Sequence, residues 1–294
     1  MANEGSGVAT IGFIGLGDQG GPMARSIAHA GLELIVFDMR AKAMAGFAAL
    51  GAKLASSVQQ VAAEAGIVAF CVRDEKQASG LVFDGGGLLD TMRSGQLLVM
   101  HSTVSPGLAL RMAAAAHERG IGFLDAPVSG STTKAREQGK LAVFVGGSET
   151  DFEKGQPLLR AIGDQAELLG PVGSGEIGKI CNNLMLFCNT FVSLEAVRLA
   201  GAYGISAETM VRMARHGSGR SWSLEEWGFW HRMIPQHPGG DSRDEIIEFL
   251  HKDLVLAMDA ARAAGVDLPM GERAESISRE AIGGIWDEVN WPGR

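Results

Sequence analysis

Residues 11–24 read IGFIGLGDQGGPMA, and this stretch decides the fold. Its first four residues carry no polar side chain, which predicts a buried strand within Ala9–Leu16. The pattern G-x-G-x-x-G follows at residues 15–20, and residues 20–30 have the apolar spacing of a helix. Strand, glycine turn and helix in this order predict a site where the backbone approaches a pyrophosphate at a helix N-terminus.

An acidic residue supports this interpretation, because Asp38 directly follows the apolar run Leu34–Phe37. A carboxylate at that place accepts hydrogen bonds from the adenosine ribose and repels the 2′-phosphate of NADP. NAD is therefore the expected cofactor, and NADP stays open because Arg40 and Lys42 lie close enough to serve a phosphate. The alternative is a tight turn without a ligand. The expected dinucleotide-binding residues are Gly15, Leu16, Gly17, Gln19, Gly20, Asp38 and Val72.

Apolar runs alternate with helical patterns through the rest of the first half. A helix is predicted over residues 41–50, and further strands are predicted at residues 67–72, 97–100, 122–126, 141–145 and 166–169. Strands separated by helices indicate a parallel sheet with both faces covered. The predicted fold class is α/β, with an N-terminal Rossmann-type, doubly wound parallel sheet.

The second half has a different texture. Residues 175–203 contain no proline and few glycines, which predicts a helix far longer than usual. Helices are also predicted at residues 207–216, 244–264 and 272–281, without further strands. We therefore expect a dinucleotide-binding domain at residues 1–172 and an all-helical domain at residues 173–294, joined through the long helix.

Composition excludes several functions. Lys and Arg number 26 against 34 Asp and Glu, and a net charge of −8 argues against nucleic-acid or membrane-surface partners. Polar residues interrupt the most apolar stretch, so no membrane span is expected. The first ten residues lack the features of a signal peptide, and the three cysteines have no metal-ligand spacing. We expect a cytoplasmic protein without a metal.

The long helix opens with Gly175-x-x-Gly178-Lys179-x-x-x-Asn183. Lys179 and Asn183 lie four residues apart, so a helix places them on one face. A lysine on a mostly apolar helix is costly to bury unless it has partners. Two interpretations follow: a boundary lysine that extends to solvent, or a lysine that takes part in chemistry.

The sequence resembles the β-hydroxyacid dehydrogenase family, which includes 3-hydroxyisobutyrate dehydrogenase. The resemblance covers nearly the whole chain in the family's order. The matching stretches are GFIGLGDQGGPMA (12–24), HSTVSP (101–106), DAPVSG (125–130), GEIGKICNN (175–183) and KDLVLA (252–257). It implies a Rossmann domain, a long helix and a helical domain that builds a homodimer or homotetramer.

The resemblance also implies roles for single residues. Lys179 matches the general acid/base for the hydroxyl or carbonyl that exchanges hydride with the nicotinamide, and Asn183 matches the residue that orients it. Ser129 and Gly130 match the turn that holds the substrate carboxylate, and Ser131, where the family more often has a glycine, is expected to bind substrate beside them. Thr103 matches the threonine beside the nicotinamide, and Lys252 matches the lysine near the cofactor. A lysine base suits the chemistry, since hydride leaves an alcohol carbon only as the hydroxyl proton is removed.

Some positions depart from the family pattern. Gln19 replaces a methionine, and the substrate loop after Gly130 contains Lys134 and Arg136. Residues 217–230 carry three of the five tryptophans, which line either a pocket or a packed interface. These changes bear on which hydroxy acid is used more than on the chemistry.

The favoured function is hydride transfer between NAD(P) and the β-hydroxyl or carbonyl of a 3-hydroxy acid, with a lysine base and no metal. An imine reductase of the same architecture is one alternative, although the imine reductases usually lack this lysine. A non-catalytic dinucleotide-binding protein is the other, although it would not need Ser129, Lys179, Asn183 and Lys252 together.

Overall fold

The computed structural model of the protein describes residues 9–130, 138–229 and 243–289, without the side chains of residues 286–289. The chain forms two compact units, residues 1–179 and residues 180–294. The described strands are β1 Ile11–Ile14, β2 Leu34–Phe37, β3 Lys53–Leu54, β4 Ile67–Phe70, β5 Leu97–Met100, β6 Gly122–Asp125, β7 Val128–Ser129, β8 Leu141–Gly146 and β9 Gly163–Gly170.

These strands form one sheet in the order β3-β2-β1-β4-β5-β6-β8-β7, with β9 paired to β8. All pairs from β3 to β6 are parallel. The strand order reverses between β1 and β4, and ligands of open α/β sheets bind beside such a reversal, at the carboxyl ends of the strands. The predicted Rossmann-type fold class is confirmed.

The far edge of the sheet corrects the prediction of a wholly parallel sheet. β8 pairs antiparallel with both β6 and β7, and only β9 runs parallel to it. Eleven residues separate β7 from β8. A parallel neighbour needs a crossover of a dozen residues or more, so a connection of this length favours an antiparallel return.

Alternating side chains place the strands between two apolar layers. Ile11 and Phe13 of β1 pack in one cluster, while Ile14 packs in the other. The same alternation holds in β5, where Val99 and Met100 belong to opposite clusters. Strands that are buried on both faces read as continuous apolar runs, which explains why most were recognisable from sequence.

The helices of the first unit cover this sheet. They are α1 Gly20–His29, α2 Val58–Glu64, α3 Glu75–Phe83, α4 Leu88–Thr91, α5 Pro106–His117 and α6 Glu149–Ile162. The helix predicted over residues 41–50 is wrong, because two short 3₁₀ turns, Ala41–Met44 and Ala48–Leu50, stand there. Gly46 between them has φ +85°, a left-handed conformation that ends a helix.

The long helix α7, Ser174–Ala202, belongs to both units and agrees with its predicted limits within one residue. The other helices of the second unit are α8 Ala207–His216, α9 Trp222–Glu225, α10 Arg243–Ala264 and α11 Pro269–Val289. Phe187 and Phe191 of α7 pack with Leu250 and Leu254 of α10 in the core of this unit. The described part of this unit contains no strand, as predicted.

One face of α7 is apolar and exposed. Met185, Val192 and Leu199 recur every seven residues and are each more than half exposed. By length and composition alone, α7 would be able to cross a membrane. The core helices of soluble proteins also reach this length and apolar content.

Candidate active site

The glycine loop has two glycines that the protein's own packing requires. Gly15 has φ +87°, and a Cβ there would lie 2.2 Å from the Cys71 carbonyl oxygen. A Cβ on Gly20 would lie 1.9 Å from the Gly15 carbonyl oxygen. These two glycines therefore let α1 start directly against the strand ends.

Gly17 differs from these two glycines, because the described residues leave open the space that a Cβ on Gly17 would occupy. The nearest atom to a Cβ on Gly17 would be Nη2 of Arg40, at 3.8 Å. Among the described residues, no hydrogen bond uses the amide N–H of Gly17, Gln19 or Gly20. An open glycine beside unused amides at a helix N-terminus fits a bound pyrophosphate, so this loop suits a dinucleotide.

Asp38 lies directly beside this loop. Its Oδ2 accepts the Leu16 N–H at 2.7 Å, and its Oδ1 accepts the Arg40 N–H at 2.8 Å and Arg40 Nε at 3.2 Å. Burial alone would raise the pKa of Asp38, but the hydrogen bonds from Arg40 and Leu16 outweigh it and lower that pKa. Asp38 is therefore an ionised carboxylate at neutral pH, held against the loop.

The loop after β5 is held from several sides and carries Thr103 at its centre. Ser102 Oγ accepts the Val72 N–H at 2.7 Å, which joins the end of β4 to this loop. Ser105 Oγ donates to Glu75 Oε1 at 2.7 Å. Thr103 itself makes no hydrogen bond with the residues that the structure describes. The loop thus presents a hydroxyl from a fixed backbone.

His101 anchors the start of the same loop and was not predicted to do so. Its ring is 2% exposed and stacks on Phe13, with the ring centroids 6.0 Å apart. Nδ1 donates to the Ala126 carbonyl oxygen at 2.7 Å, since a carbonyl can only accept. Burial lowers the pKa of His101 to about 4, although the hydrogen bond with Ala126 opposes this. The imidazole is neutral in the folded protein.

Acid should therefore destabilise the fold through His101. The unfolded chain binds a proton near pH 6.5 and the folded chain only near pH 4, so stability is lost as the pH falls between these values. The loss approaches about 3 kcal/mol. Urea unfolding of wild type and His101→Asn from pH 7 to pH 4.5 checks this, since asparagine keeps a donor but does not titrate. Parallel pH dependences of the two proteins would contradict it.

A buried carboxylate holds the start of the lysine helix. Asp125, at the end of β6, accepts the backbone N–H of Gly173 and of Glu176, each at 2.9 Å, and that of Gly175. Burial raises the pKa of Asp125, and these hydrogen bonds limit the rise. A carboxylate at a helix N-terminus is also favoured by the helix dipole. Asp125 thus fixes the turn that precedes Lys179.

The motif Gly175-x-x-Gly178 lets this turn approach the sheet closely. A Cβ on Gly175 would lie 2.4 Å from the Asp125 carbonyl oxygen, and one on Gly178 would lie 2.4 Å from the Leu169 side chain. Glu176 between them is fully buried, and its Oε2 accepts the Val104 N–H at 3.1 Å. Lys179 follows on the next turn. The start of the helix, the end of β6 and the loop with Thr103 therefore lie together.

The turn that is predicted to hold the substrate carboxylate lies at the end of strand β7. Ser129 ends β7, and Gly130 follows with φ +151°. A Cβ on Gly130 would lie 2.4 Å from the Leu141 side chain, so close packing with β8 requires glycine here. Ser131, Lys134 and Arg136 lie outside the described residues.

In the second unit, Asp253, which was not predicted as a site residue, joins the predicted site residues Asn183 and Lys252. Asn183 Nδ2 donates to Asp253 Oδ2 at 2.8 Å, and Lys252 Nζ donates to Asp253 Oδ1 at 2.7 Å. Asn183 is buried, and Lys252 also lies over the Phe249 ring, 5.2 Å from its centroid. Asp253 therefore orients both side chains. Its position beside Lys252 in the KDL segment was the available signal.

Two aromatic residues of the tryptophan-rich segment, residues 217–230, pack against each other. The rings of Trp222 and Phe229 meet edge to face, with their centroids 5.2 Å apart, and Phe229 is buried. Trp230 lies outside the described residues. The described residues contain no group of three or more His, Cys, Asp or Glu that would hold a metal ion.

Comparison with known proteins identifies the family. Residues 10–170 match the family model described as the NAD binding domain of 6-phosphogluconate dehydrogenase. Residues 173–288 match a second family model, which is described as NAD-binding of NADP-dependent 3-hydroxyisobutyrate dehydrogenase. The chain is 38% identical over 273 residues to NAD-dependent L-serine dehydrogenase of Pseudomonas aeruginosa. The matched region covers 92% of this chain and 91% of that protein.

Two further relatives agree. The chain is 37% identical over 291 residues to 2-(hydroxymethyl)glutarate dehydrogenase of Eubacterium barkeri, across 95% of each. The crystal structure of 3-hydroxyisobutyrate dehydrogenase from Salmonella typhimurium matches with a TM-score of 0.80 at 29% identity, across 94% of each chain. The favoured function is confirmed at the level of reaction class. The chain belongs to the β-hydroxyacid dehydrogenase family and is an NAD(P)-dependent oxidoreductase that acts on a CH–OH group.

Proposed function

We propose that the substrate is a 3-hydroxy acid with a primary alcohol, HOCH₂–CH(R)–COO⁻. By their names, the three relatives act on L-serine, 2-(hydroxymethyl)glutarate and 3-hydroxyisobutyrate. These compounds share a hydroxymethyl group on the carbon that bears a carboxylate, and they differ in the third substituent. A site of this family that reads the hydroxymethyl and carboxylate groups would therefore suit this chain.

The structural observation that supports hydride transfer on such a substrate is the hydrogen-bond network around Asp125 and Glu176. This network fixes the turn before Lys179 against the loop with Thr103. The Glu176 N–H donates to the Asp125 carboxylate, and the Val104 N–H donates to the Glu176 carboxylate. Hydride transfer needs a base and a nicotinamide site in fixed register. A nicotinamide, when bound, supplies the hydride acceptor or donor.

The proposed roles of the chain's own groups follow from this. Lys179 Nζ takes the hydroxyl proton during oxidation and returns it to the carbonyl oxygen during reduction. Ser129 and Gly130 hold the substrate carboxylate, and Asn183, oriented by Asp253, positions the reacting groups. Gly15, Gly17, Gln19, Gly20 and Asp38 hold the dinucleotide, with Leu16, Val72, Thr103 and Lys252 beside it.

A substrate panel tests the proposed class. We expect L-serine, 3-hydroxyisobutyrate and 2-(hydroxymethyl)glutarate to reduce NAD with kcat/KM at least about tenfold above that of 3-hydroxybutyrate, a matched secondary alcohol. If the pocket is roomy, kcat/KM increases about fourfold per methylene of the third substituent, from about 0.8 kcal/mol per buried CH₂. A steady decline of kcat/KM with the size of the third substituent would assign the aromatic segment, residues 217–230, to packing. A higher kcat/KM for 3-hydroxybutyrate would refute the proposed class of primary-alcohol substrates.

We propose that NAD is preferred over NADP, because ionised Asp38 would repel a 2′-phosphate. Asp38→Asn should raise the kcat/KM ratio of NADP to NAD by about tenfold or more, since it removes that repulsion and frees Arg40, whose side chain is 63% exposed. The double variant Asp38→Asn/Arg40→Ala is the control and should lose part of the gain. A wild type with higher kcat/KM for NADP would contradict this prediction.

We also propose a cytoplasmic homodimer or homotetramer without nucleic-acid or membrane partners. The exposed face of α7 formed by Met185, Val192 and Leu199 supports a second copy as its partner, because a regular apolar stripe on a helix favours helix packing. The net charge of −8 does not favour polyanionic partners. We place the boundary between the two domains after residue 172.

A further inference from the structure

Glu176 is a charged side chain in an unusual place. It is fully buried, on the first turns of α7, three residues before Lys179. Burying a carboxylate is costly unless hydrogen bonds or charges compensate for its lost hydration. An apolar residue of similar size would avoid this cost, so a carboxylate at this position calls for a role that its contacts explain.

Those contacts join two segments of the first unit. Oε2 of Glu176 accepts the Val104 N–H at 3.1 Å, and Val104 directly follows Thr103. The backbone N–H of Glu176 donates to Asp125 Oδ2 at 2.9 Å. One residue thus connects the loop of Thr103, the end of β6 and the helix turn before Lys179.

We infer that Glu176 is a positioning residue that sets the separation between the Thr103 loop and Lys179. This rests on the proposed function, in which Thr103 lies beside the nicotinamide and Lys179 moves the hydroxyl proton. Hydride and proton leave the same alcohol, so both groups must be held at once. A misplacement of about 1 Å can cost about 100-fold in rate.

Three variants separate the acceptor, the charge and the length of this side chain. Glu176→Gln keeps an oxygen acceptor without charge, Glu176→Met removes the acceptor at similar volume, and Glu176→Asp keeps the charge on a shorter arm. The matched control is Gln96→Met, at the opposite end of β5. Gln96 is also buried, and its Nε2 donates to the carbonyl oxygens of Ala62 and Ala65 at 2.7 and 2.5 Å.

The readouts are kcat with protiated and C3-deuterated alcohol, the Kd for NAD, and hydrogen exchange of the peptide at residues 100–106. We expect Glu176→Met to lower kcat about 10- to 100-fold and to raise the isotope effect, because chemistry becomes slower than product release. Exchange at Val104 should quicken at least about tenfold. The Kd for NAD should stay within about threefold, and Glu176→Gln and Gln96→Met should stay within about threefold of wild-type kcat.

Wild-type kcat and exchange in Glu176→Met would overturn the inference, as would equal losses of kcat in Gln96→Met. If Glu176→Met does not fold, Glu176→Asp decides by the same readouts, and wild-type values there would overturn it. An inactive wild type across the substrate panel would refute the proposed function instead. The connection between Glu176 and Val104 is then judged by exchange alone, where quickened exchange supports it and unchanged exchange refutes it.

Discussion

Lys179→Ala is expected to lower kcat by about 10²–10⁴-fold while leaving the Kd for NAD nearly unchanged. In the proposed mechanism the amine acts on the substrate oxygen, whereas the glycine loop and Asp38 would hold the dinucleotide elsewhere. Both quantities are measurable, kcat from NADH absorbance and the Kd from the fluorescence of bound NADH. The separation of the two effects distinguishes a base from a residue that holds the cofactor.

Cys181→Ala is the matched control for this variant. Cys181 lies two residues further along the same helix and is exposed, so its truncation tests whether the helix tolerates a shorter side chain. We expect it to keep wild-type kcat and thermal stability. If Lys179→Ala keeps near-wild-type kcat, or if Cys181→Ala loses as much, Lys179 is not the general acid/base.

Gly17→Val is expected to weaken NAD binding by at least about 100-fold with little loss of stability. Apart from its two chain neighbours, a Cβ at Gly17 meets no atom of the described residues closer than 3.8 Å, so the fold has room for it. The same space is the one that a pyrophosphate would enter, and a branched side chain would exclude it. Titration of NADH fluorescence gives the Kd, and thermal unfolding gives the stability.

Gly20→Ala provides the contrast, because its Cβ would lie 1.9 Å from the Gly15 carbonyl oxygen. We expect this smaller substitution to destabilise the folded protein by about 1–3 kcal/mol through overpacking. Tight NAD binding by Gly17→Val would show that the loop does not hold the pyrophosphate. A stable Gly20→Ala protein would show that the loop adjusts its backbone more freely than its packing indicates.

The parts of the fold that were predictable from sequence are those with local or periodic signals. The glycine loop, Asp38 after β2 and the buried strands each follow from neighbours within a few residues. The 41–50 segment was mispredicted because its composition favours a helix, whereas Gly46 adopts a left-handed conformation. The strand β8 was predicted, but its antiparallel direction was missed, because strand direction depends on the connection and not on the strand's own residues.

The candidate site divides in the same way. Lys179 and Asn183 share one helix face, which spacing alone reveals. Asp125 was quoted only as part of a motif, yet its carboxylate binds amides 48 to 51 residues later in the chain. Such long-range capping has no period, and nothing in the sequence next to Asp125 indicates it.

This capping also bears on how the halves of such enzymes can be exchanged. The three amides that Asp125 binds belong to Gly173, Gly175 and Glu176, all beyond the domain boundary proposed after residue 172. A chimera joined at residue 172 would separate this carboxylate from the turn it evolved with. A junction after Lys179 would instead leave the whole anchored turn with the first compact unit. Recombination between relatives can then replace the helical half, and any substrate preference it carries, while Lys179, the proposed base, stays with the glycine loop and the Thr103 loop.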